Sequence, residues 1–433
     1  MTDVRLNRAN RRQVRLEAVD LETLVPSDHR VRAIWAFVEG LDLSVLHDGI
    51  KSRGTVAGRP AIDPMILLAL WLYATADGVG SARALARLCE HHTIYRWLCG
   101  AVSVSHATLS GFRVENGAFL DTLMSTTLAA LIQEGLLDLD EVITDGTKVR
   151  ASASKGSLRR EASLREIEAK VAERIRTLKA ALDGDSASGE RSRAVRAKAA
   201  AEAQAARVAA ALSRLEEHKA ERARWAAAHP GAAATTPKSA PRVSTTDAEA
   251  RMMRMADDAM RPCFNVQIAT ACGFVVAVKP TSQCNDHDLA GEMIAEVQRV
   301  CGGTPCRLLA DTGAMTQADI VRLAAAHRAL VVYAPPVAER PGASPASQNR
   351  RARNLAKEPA CLKEWRARMA TPEAETIYAR RPLTEHVHAK IKNRGFGRML
   401  VRGLARVRCV CLLHSLTHNL LHALTRRAAL AAA

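Results

Sequence analysis

Aromatic side chains make up only 3% of the 433 residues, which argues against a surface that binds single-stranded nucleic acid by stacking bases. The ten cysteines include no Cys-x-x-Cys pair. Cys301 and Cys306 stand close together without a second ligand pair at zinc-site spacing, so a reduced, intracellular chain without structural zinc is expected. Long apolar runs are missing too. The longest, 65–76, falls short of the roughly 20 residues that span a bilayer, and Asp63-Pro64 and Asp77-Gly78 bracket it as a soluble helix. Residues 1–12 are polar and charged, unlike the apolar centre of a signal peptide. The expectation is a cytoplasmic protein with no membrane partner.

Positive charge is what the chain has in excess. Lys and Arg number 62 against 45 acids, a formal net charge of +17. That balance suggests a polyanionic partner, of which DNA or RNA is the commonest. The plainer reading is an Arg- and Ala-rich protein from a GC-rich genome. The length calls for two to three domains.

Residues 1–140 read as helical. Asp63-Pro64 opens one apolar helix, 81–90 and 91–99 read as two short ones, and 105–116 as another. Two short helices, a turn through Gly100, and a helix bearing His106, Thr108, Ser110 and Arg113 suit a helix-turn-helix as well as an ordinary bundle. At 141 the character changes. Val142, Ile143 and Thr144 lead a β-branched segment through Asp145 and Gly146 to Arg150. From 157 to about 229 strand formers almost vanish, and Leu164, Ile167, Val171, Ile175, Leu178 and Leu182 recur at helical steps until Asp183-Gly184 breaks the pattern. A second helix with Val195, Val208, Leu212 and Leu215 completes a projecting helical hairpin whose charges fit a solvated face. Strand signals return at 263–269 and 274–278, paired across Cys272-Gly273. After them come a helix capped by Asn285-Asp286, a strand at 307–310 ending at Asp311, a helix opened by the capping box Thr316 to Asp319, and a strand at 330–333.

Cutting a phosphodiester without a covalent enzyme intermediate calls for divalent ions held by a few carboxylates. Acids at strand ends in basic surroundings are therefore the candidates. Asp145 lies inside a β-branched strand, where an unpaired carboxylate is costly to bury. Asp311 ends a strand before Thr312-Gly313, where the glycine leaves room for a ligand. Each also fits the commoner role of a turn or cap residue. Glu385 is the single carboxylate after Thr376, among eleven Lys and Arg. Tyr378, Arg381, Glu385 and Lys392 would fall within a stripe of about 60° on one helix, although Pro382 belongs in a first helical turn. His414, His418 and His422 recur every four residues, but leucines surround them and no HExxH motif or acid accompanies them, so they read as a packing face.

These residues carry a resemblance. Tyr378, two residues, Arg381, three, Glu385, six, Lys392 is a spacing that resembles the tyrosine-arginine-glutamate-lysine signature of DDE insertion-sequence transposases. Residues 145–151, Asp-Gly-Thr-Lys-Val-Arg-Ala, resemble that group's first aspartate motif, and Leu309-Ala310-Asp311-Thr312-Gly313 its second, with Ala314 where an aromatic is usual. Ser244-Thr245-Thr246-Asp247, Asn265-Val266-Gln267 and Asn285-Asp286 resemble segments that bridge the two aspartates. Gly58-Arg59-Pro60 and Tyr95-Arg96-Trp97-Leu98 resemble the group's N-terminal domain.

The resemblance implies an α/β fold, an RNase H-like mixed sheet flanked by helices, with an N-terminal all-helical domain and a helical-hairpin insertion. It implies that Asp145, Asp311 and Glu385 are catalytic and hold Mg²⁺ (or Mn²⁺), and that Tyr378, Arg381 and Lys392 bind DNA phosphates. The partner would be double-stranded DNA, both the element's terminal inverted repeats and the target, bound by a homodimer at the bacterial nucleoid. The expected segments are 1–140, a helical DNA-binding domain; 141–156, the first core strand; 157–242, the hairpin insertion and linker; 243–335, the central core; 336–374, an irregular basic insertion; and 375–433, the C-terminal helices of the core. The alternatives are an inactive DNA-binding regulator derived from a transposase, and a host nuclease or recombinase on the same fold. A coiled-coil interaction protein built on 157–229 would leave the acids without a purpose.

Overall fold

The computed structural model describes residues 20–52, 60–183, 188–228, 240–337, 353 and 355–432. Gly58-Arg59, most of the linker expected at 231–241 and part of the 336–374 insertion lie outside the described residues. The chain divides into two compact units, 1–70 with 82–109, and 71–81 with 110–433.

The first unit holds helices α1 (Arg30–Glu39), α2 (Ser44–Asp48), the first turns of α3 (Pro64–Ala76), α4 (Ala82–His91), α5 (Thr93–Cys99) and the start of α6 (His106–Glu115). Tyr95 is fully buried. Trp97 meets Trp35 edge to face at 5.9 Å and donates its N–H to Glu22 at 2.9 Å. Gly100 ends α5 with φ +52, the left-handed backbone that glycine adopts without strain.

Helix α6 divides its polar residues between surface and core. His106 and Thr108 are exposed, but Arg113 is buried. Its guanidinium stacks 4.5 Å over Trp71 and donates to the Gly80 carbonyl at 2.5 Å. Arginine tolerates this because its planar, weakly hydrated head packs against an indole face; burial still lowers its pKa to about 10.

The second unit is mixed α/β. In chain order it adds α7 (Gly117–Gln133), β1 (Glu141–Arg150), β2 (Leu158–Arg159), α8 (Glu161–Asp183), α9 (Ser188–Ala228), β3 (Val243–Ser244), β4 (Arg251–Arg254), β5 (Met260–Ala271) and β6 (Phe274–Thr281). Then come α10 (Ala290–Cys301), β7 (Arg307–Ala310), α11 (Gln317–Ala326), β8 (Val331–Tyr333), α12 (Ala360–Met369), α13 (Pro372–Tyr378), α14 (Leu383–Ile391) and α15 (Leu404–Ala431). The main sheet runs β4-β5-β1-β7-β8, with β6 also on β5. Strand β1 is central, antiparallel to β5 and parallel to β7, and β7 is parallel to β8.

Helix α15 packs on β6 and α7 and explains the histidine run. His418 bonds the Gly273 carbonyl at 2.9 Å and His422 the Cys272 carbonyl at 3.1 Å, so both rings fasten the β5–β6 turn. Next to His418, the fully buried Asn419 amide satisfies both the N–H and the carbonyl of Val275, each at 2.8 Å. Hairpin α8–α9 has its own small core of Leu164, Val208, Ala211, Leu212, Leu215 and Val243. Among the described residues no helix is long and apolar enough to cross a membrane.

Two local expectations change. The helix expected to be capped by Asn285-Asp286 begins at Ala290 with no side-chain cap, because the Asp286 carboxylate is drawn to β5 instead. The four signature residues do not share one helix. Tyr378 ends α13, Arg381 lies between helices, Glu385 is in the first turn of α14, and Lys392 follows its last residue. Pro382 is the cause: it has no N–H for a helix interior, so the chain restarts there.

Candidate active site

Strand β1 loses its β7 partner after Thr144, which pairs with Ala310, the last residue of β7. Asp145 follows at once, and Asp311 leaves β7 at the same level. The two acids therefore emerge side by side where the parallel pairing of β1 and β7 ends. Ile143, two residues before Asp145 on the same face, is buried with Leu309, Tyr333, Ala374 and Ile377. That apolar contact seats α13 beside the acids.

Arg381 joins the parts. Its guanidinium lies 3.4 Å from Asp145 and 2.7 Å from Glu385, linking β1 to α14. Burial pushes the Asp145 carboxyl up; Arg381 and the Gly146 N–H at 2.9 Å oppose the shift, while the negative charges of Asp286 and Asp311 add to it. Burial also pushes the Tyr378 hydroxyl up, with Arg381 opposing and Asp311, Asp145 and Glu385 adding. Tyr378, Arg381, Glu385, Asp145 and Asp311 thus share one electrostatic neighbourhood. Lys392 is exposed at the end of α14, where its charge reaches His388. The return of the chain is fixed too: Met399 donates to the Arg150 carbonyl at 2.8 Å, so the segment after Lys392 docks on the end of β1.

Four residues near the acids carried no site assignment in the sequence. His388 is buried, with Nδ1 3.6 Å from Asp145. It is neutral rather than an ion-pair partner, since burial, helped by Lys392 and Arg381, lowers its pKa to about 4. Asn265 and Gln267, both buried on β5, donate their amides to Asp286 Oδ1 at 2.7 and 2.5 Å. The legible signal was a pair of amides two residues apart in an otherwise apolar strand, since buried amides need partners. Their partner, Asp286, could not be read from spacing.

Gly146 makes this approach possible. A Cβ there would overlap Asp286 Oδ1 and stand 2.5 Å from Gln267 Nε2. Gly146→Ala is expected to lower stability by about 1–3 kcal/mol through overpacking, read by urea unfolding. A midpoint equal to wild type would show that Asp286 is not held there.

Beside Asp311 a cleft of about 860 Å³ opens, lined by Thr312, Gly313, Thr316, Trp365 and Arg366 among others. The capping box of Thr316 and Asp319 forms as expected and starts α11 at its edge. Among the described residues no group of three or more His, Cys, Asp or Glu is arranged to hold a metal ion; Arg381 joins Asp145 to Glu385.

Two family models match the chain. Residues 19–115 match a transposase domain (DUF772), and residues 343–424 match a transposase DDE domain. Its function is that of a transposase. The DDE domain makes it a metal-dependent DNA-cleaving enzyme. In this transposase Tyr378, Arg381, Glu385 and Lys392 lie within the second matched segment, whereas Asp145 and Asp311 lie in neither. Comparison with curated proteins and with solved structures gives no match.

Proposed function

We propose that the transposase belongs to the tyrosine-arginine-glutamate-lysine group, with Asp145, Asp311 and Glu385 as its catalytic carboxylates on an RNase H-like core. The observation that carries this reading is Arg381, which gathers Asp145 and Glu385 from distant parts of the chain into the field of Asp311. The order of elements supports the fold: strands β1, β5 and β6, helix α10, strand β7, helix α11 and strand β8, with the short β4 added on β5, and the acids where the β1–β7 pairing ends.

The donor set fits a hard divalent ion, since every acid is an oxygen ligand. A cation would also relieve the repulsion that Asp286 and Asp311 exert on Asp145. Asp145, Asp311 and Glu385 would hold Mg²⁺ or Mn²⁺, which supplies activation of the attacking oxygen and neutralisation of the leaving one. The chain's own groups position DNA. Arg381 presents a fork and Lys392 a point charge to phosphates. Tyr378, its hydroxyl pKa raised, stays a protonated donor to a phosphate oxygen. Residues 1–140 would recognise the terminal inverted repeats, 157–242 form an insertion between core segments 141–156 and 243–335, and 375–433 complete the core after the insertion 336–374. A homodimer would join two element ends at the bacterial nucleoid.

The test uses the full chain and duplexes carrying the repeats that flank its own coding segment. Cleavage should need Mg²⁺ or Mn²⁺ and stop with a chelator; cleavage in the chelator would overturn the reading. In the same assay, Lys392→Ala and Arg381→Ala should each lower the slope of log affinity against log salt by about one unit. Slopes unchanged in both variants would remove the phosphate-gripping role.

A further inference from the structure

The hairpin α8–α9 has no part in the proposed chemistry, yet its charges are unevenly spent. Near the sheet several of its cations are tied to acids: Arg165 to Glu168 at 3.2 Å, Lys170 to Glu166 at 2.6 Å, and Lys219 to Glu161 at 2.7 Å, while Arg207 and Arg224 are exposed. Arg251 of β4 reaches Glu221 at 3.0 Å in the same region. Further out, Arg174, Lys179, Arg191, Arg193 and Arg196 are all exposed. Among the described residues none of these five forms an ion pair; the ion pairs of the outer part are Arg176 with Glu173 and Lys198 with Glu202. By sequence, residues 173–202 carry seven Lys and Arg against five acids, Glu173, Asp183, Asp185, Glu190 and Glu202, and this excess of positive charge on a slender arm weakens the isolated arm rather than holding it together. Alanine, the strongest helix former, dominates α9 and supplies its rigidity without them.

From these observations we infer that the outer part of the α8–α9 hairpin is a DNA-binding arm that grips duplex phosphates away from the carboxylates. The inference rests on the transposase reading and adds a second contact region to it. Lys179 follows Glu161 by 18 residues (179 − 161) within α8, about 27 Å along the axis at ~1.5 Å per residue. That is the length of about eight base pairs at ~3.4 Å each. The five cations lie on several sides of the two helices, as suits an arm laid along a groove with phosphates on both flanks. Duplex DNA, with a charge about every 1.7 Å, is the partner whose charge density matches.

The test is the full-length variant Arg174→Ala, Lys179→Ala, Arg191→Ala, Arg193→Ala and Arg196→Ala. Alanine at exposed helix positions keeps the fold, which circular dichroism verifies. A companion with the four arginines changed to lysine keeps the charge. The slope of log affinity against log salt for random-sequence duplex DNA should fall by two or more units in the alanine variant and stay at the wild-type value in the lysine companion. A fall smaller than two units, or an equal fall in both variants, overturns the arm. If wild-type protein fails to bind duplex DNA at all, the transposase reading itself fails, which is a separate outcome.

Discussion

Asp145→Asn is expected to lower DNA-end cleavage by at least about a thousand-fold while leaving the fold and DNA binding in place. The asparagine keeps the shape of the carboxyl and its bond with Gly146, and loses only the charge that a divalent ion needs. Stability should hold or rise, because burial and the neighbouring Asp286 and Asp311 already disfavour the charged Asp145. Asp311→Asn and Glu385→Gln should show the same loss of turnover. For Glu385→Gln the binding of end DNA should stay level or tighten, since a negative charge facing phosphates is removed. The measurements are single-turnover cleavage, a thermal melt and DNA affinity on the same preparations. A well-folded Asp145→Asn variant that cleaves at a tenth of the wild-type rate or better would take Asp145 out of the active site.

Acid should unfold the protein before its carboxylates are fully protonated. Four buried histidines are the reason. Burial lowers His218, His388 and His418 to about 4 and His414 to about 3. Above pH 6.5 both folded and unfolded chains hold these rings neutral, and nothing is lost. Below 6.5 the unfolded chain takes up protons that the folded chain refuses, so stability falls until about pH 4, where the folded rings begin to protonate. Each ring then costs about 3 kcal/mol, and four together rival the roughly 5–15 kcal/mol that holds a folded protein. The raised carboxyls of Asp145, Glu141 and Asp247 act in the opposite direction, taking up protons more readily when folded. The histidine effect is larger in number and size, so unfolding between about pH 5 and 4 is expected. Melts followed by circular dichroism from pH 8 to 4 test this, and His414→Gln should flatten the curve by one proton. A melting temperature at pH 4.5 within a few degrees of that at pH 7.5 would refute it.

Much of the fold was legible because local patterns suffice for local structure. The β-branched run around Ile143, the two strands about Cys272-Gly273, the capping box at Thr316 and the leucine spacing of α8 each reflect interactions within a few residues. The acids beside glycines, and the lone Glu385 among cations, could be named in sequence as candidates. Their meeting could not. Arg381 between Asp145 and Glu385, His388 behind Asp145, and Asp286 held by Asn265 and Gln267 depend on which strands pair and which helix restarts after Pro382. Arg113 shows the same limit from the other side, since a charged residue on a short helix reads as exposed until Trp71 is folded against it. Sequence fixes periodicity and chemistry residue by residue, whereas burial and charge proximity arise between residues far apart in the chain, and those contacts decide which carboxyls are raised, which histidines stay neutral and which arginine is spent on an indole.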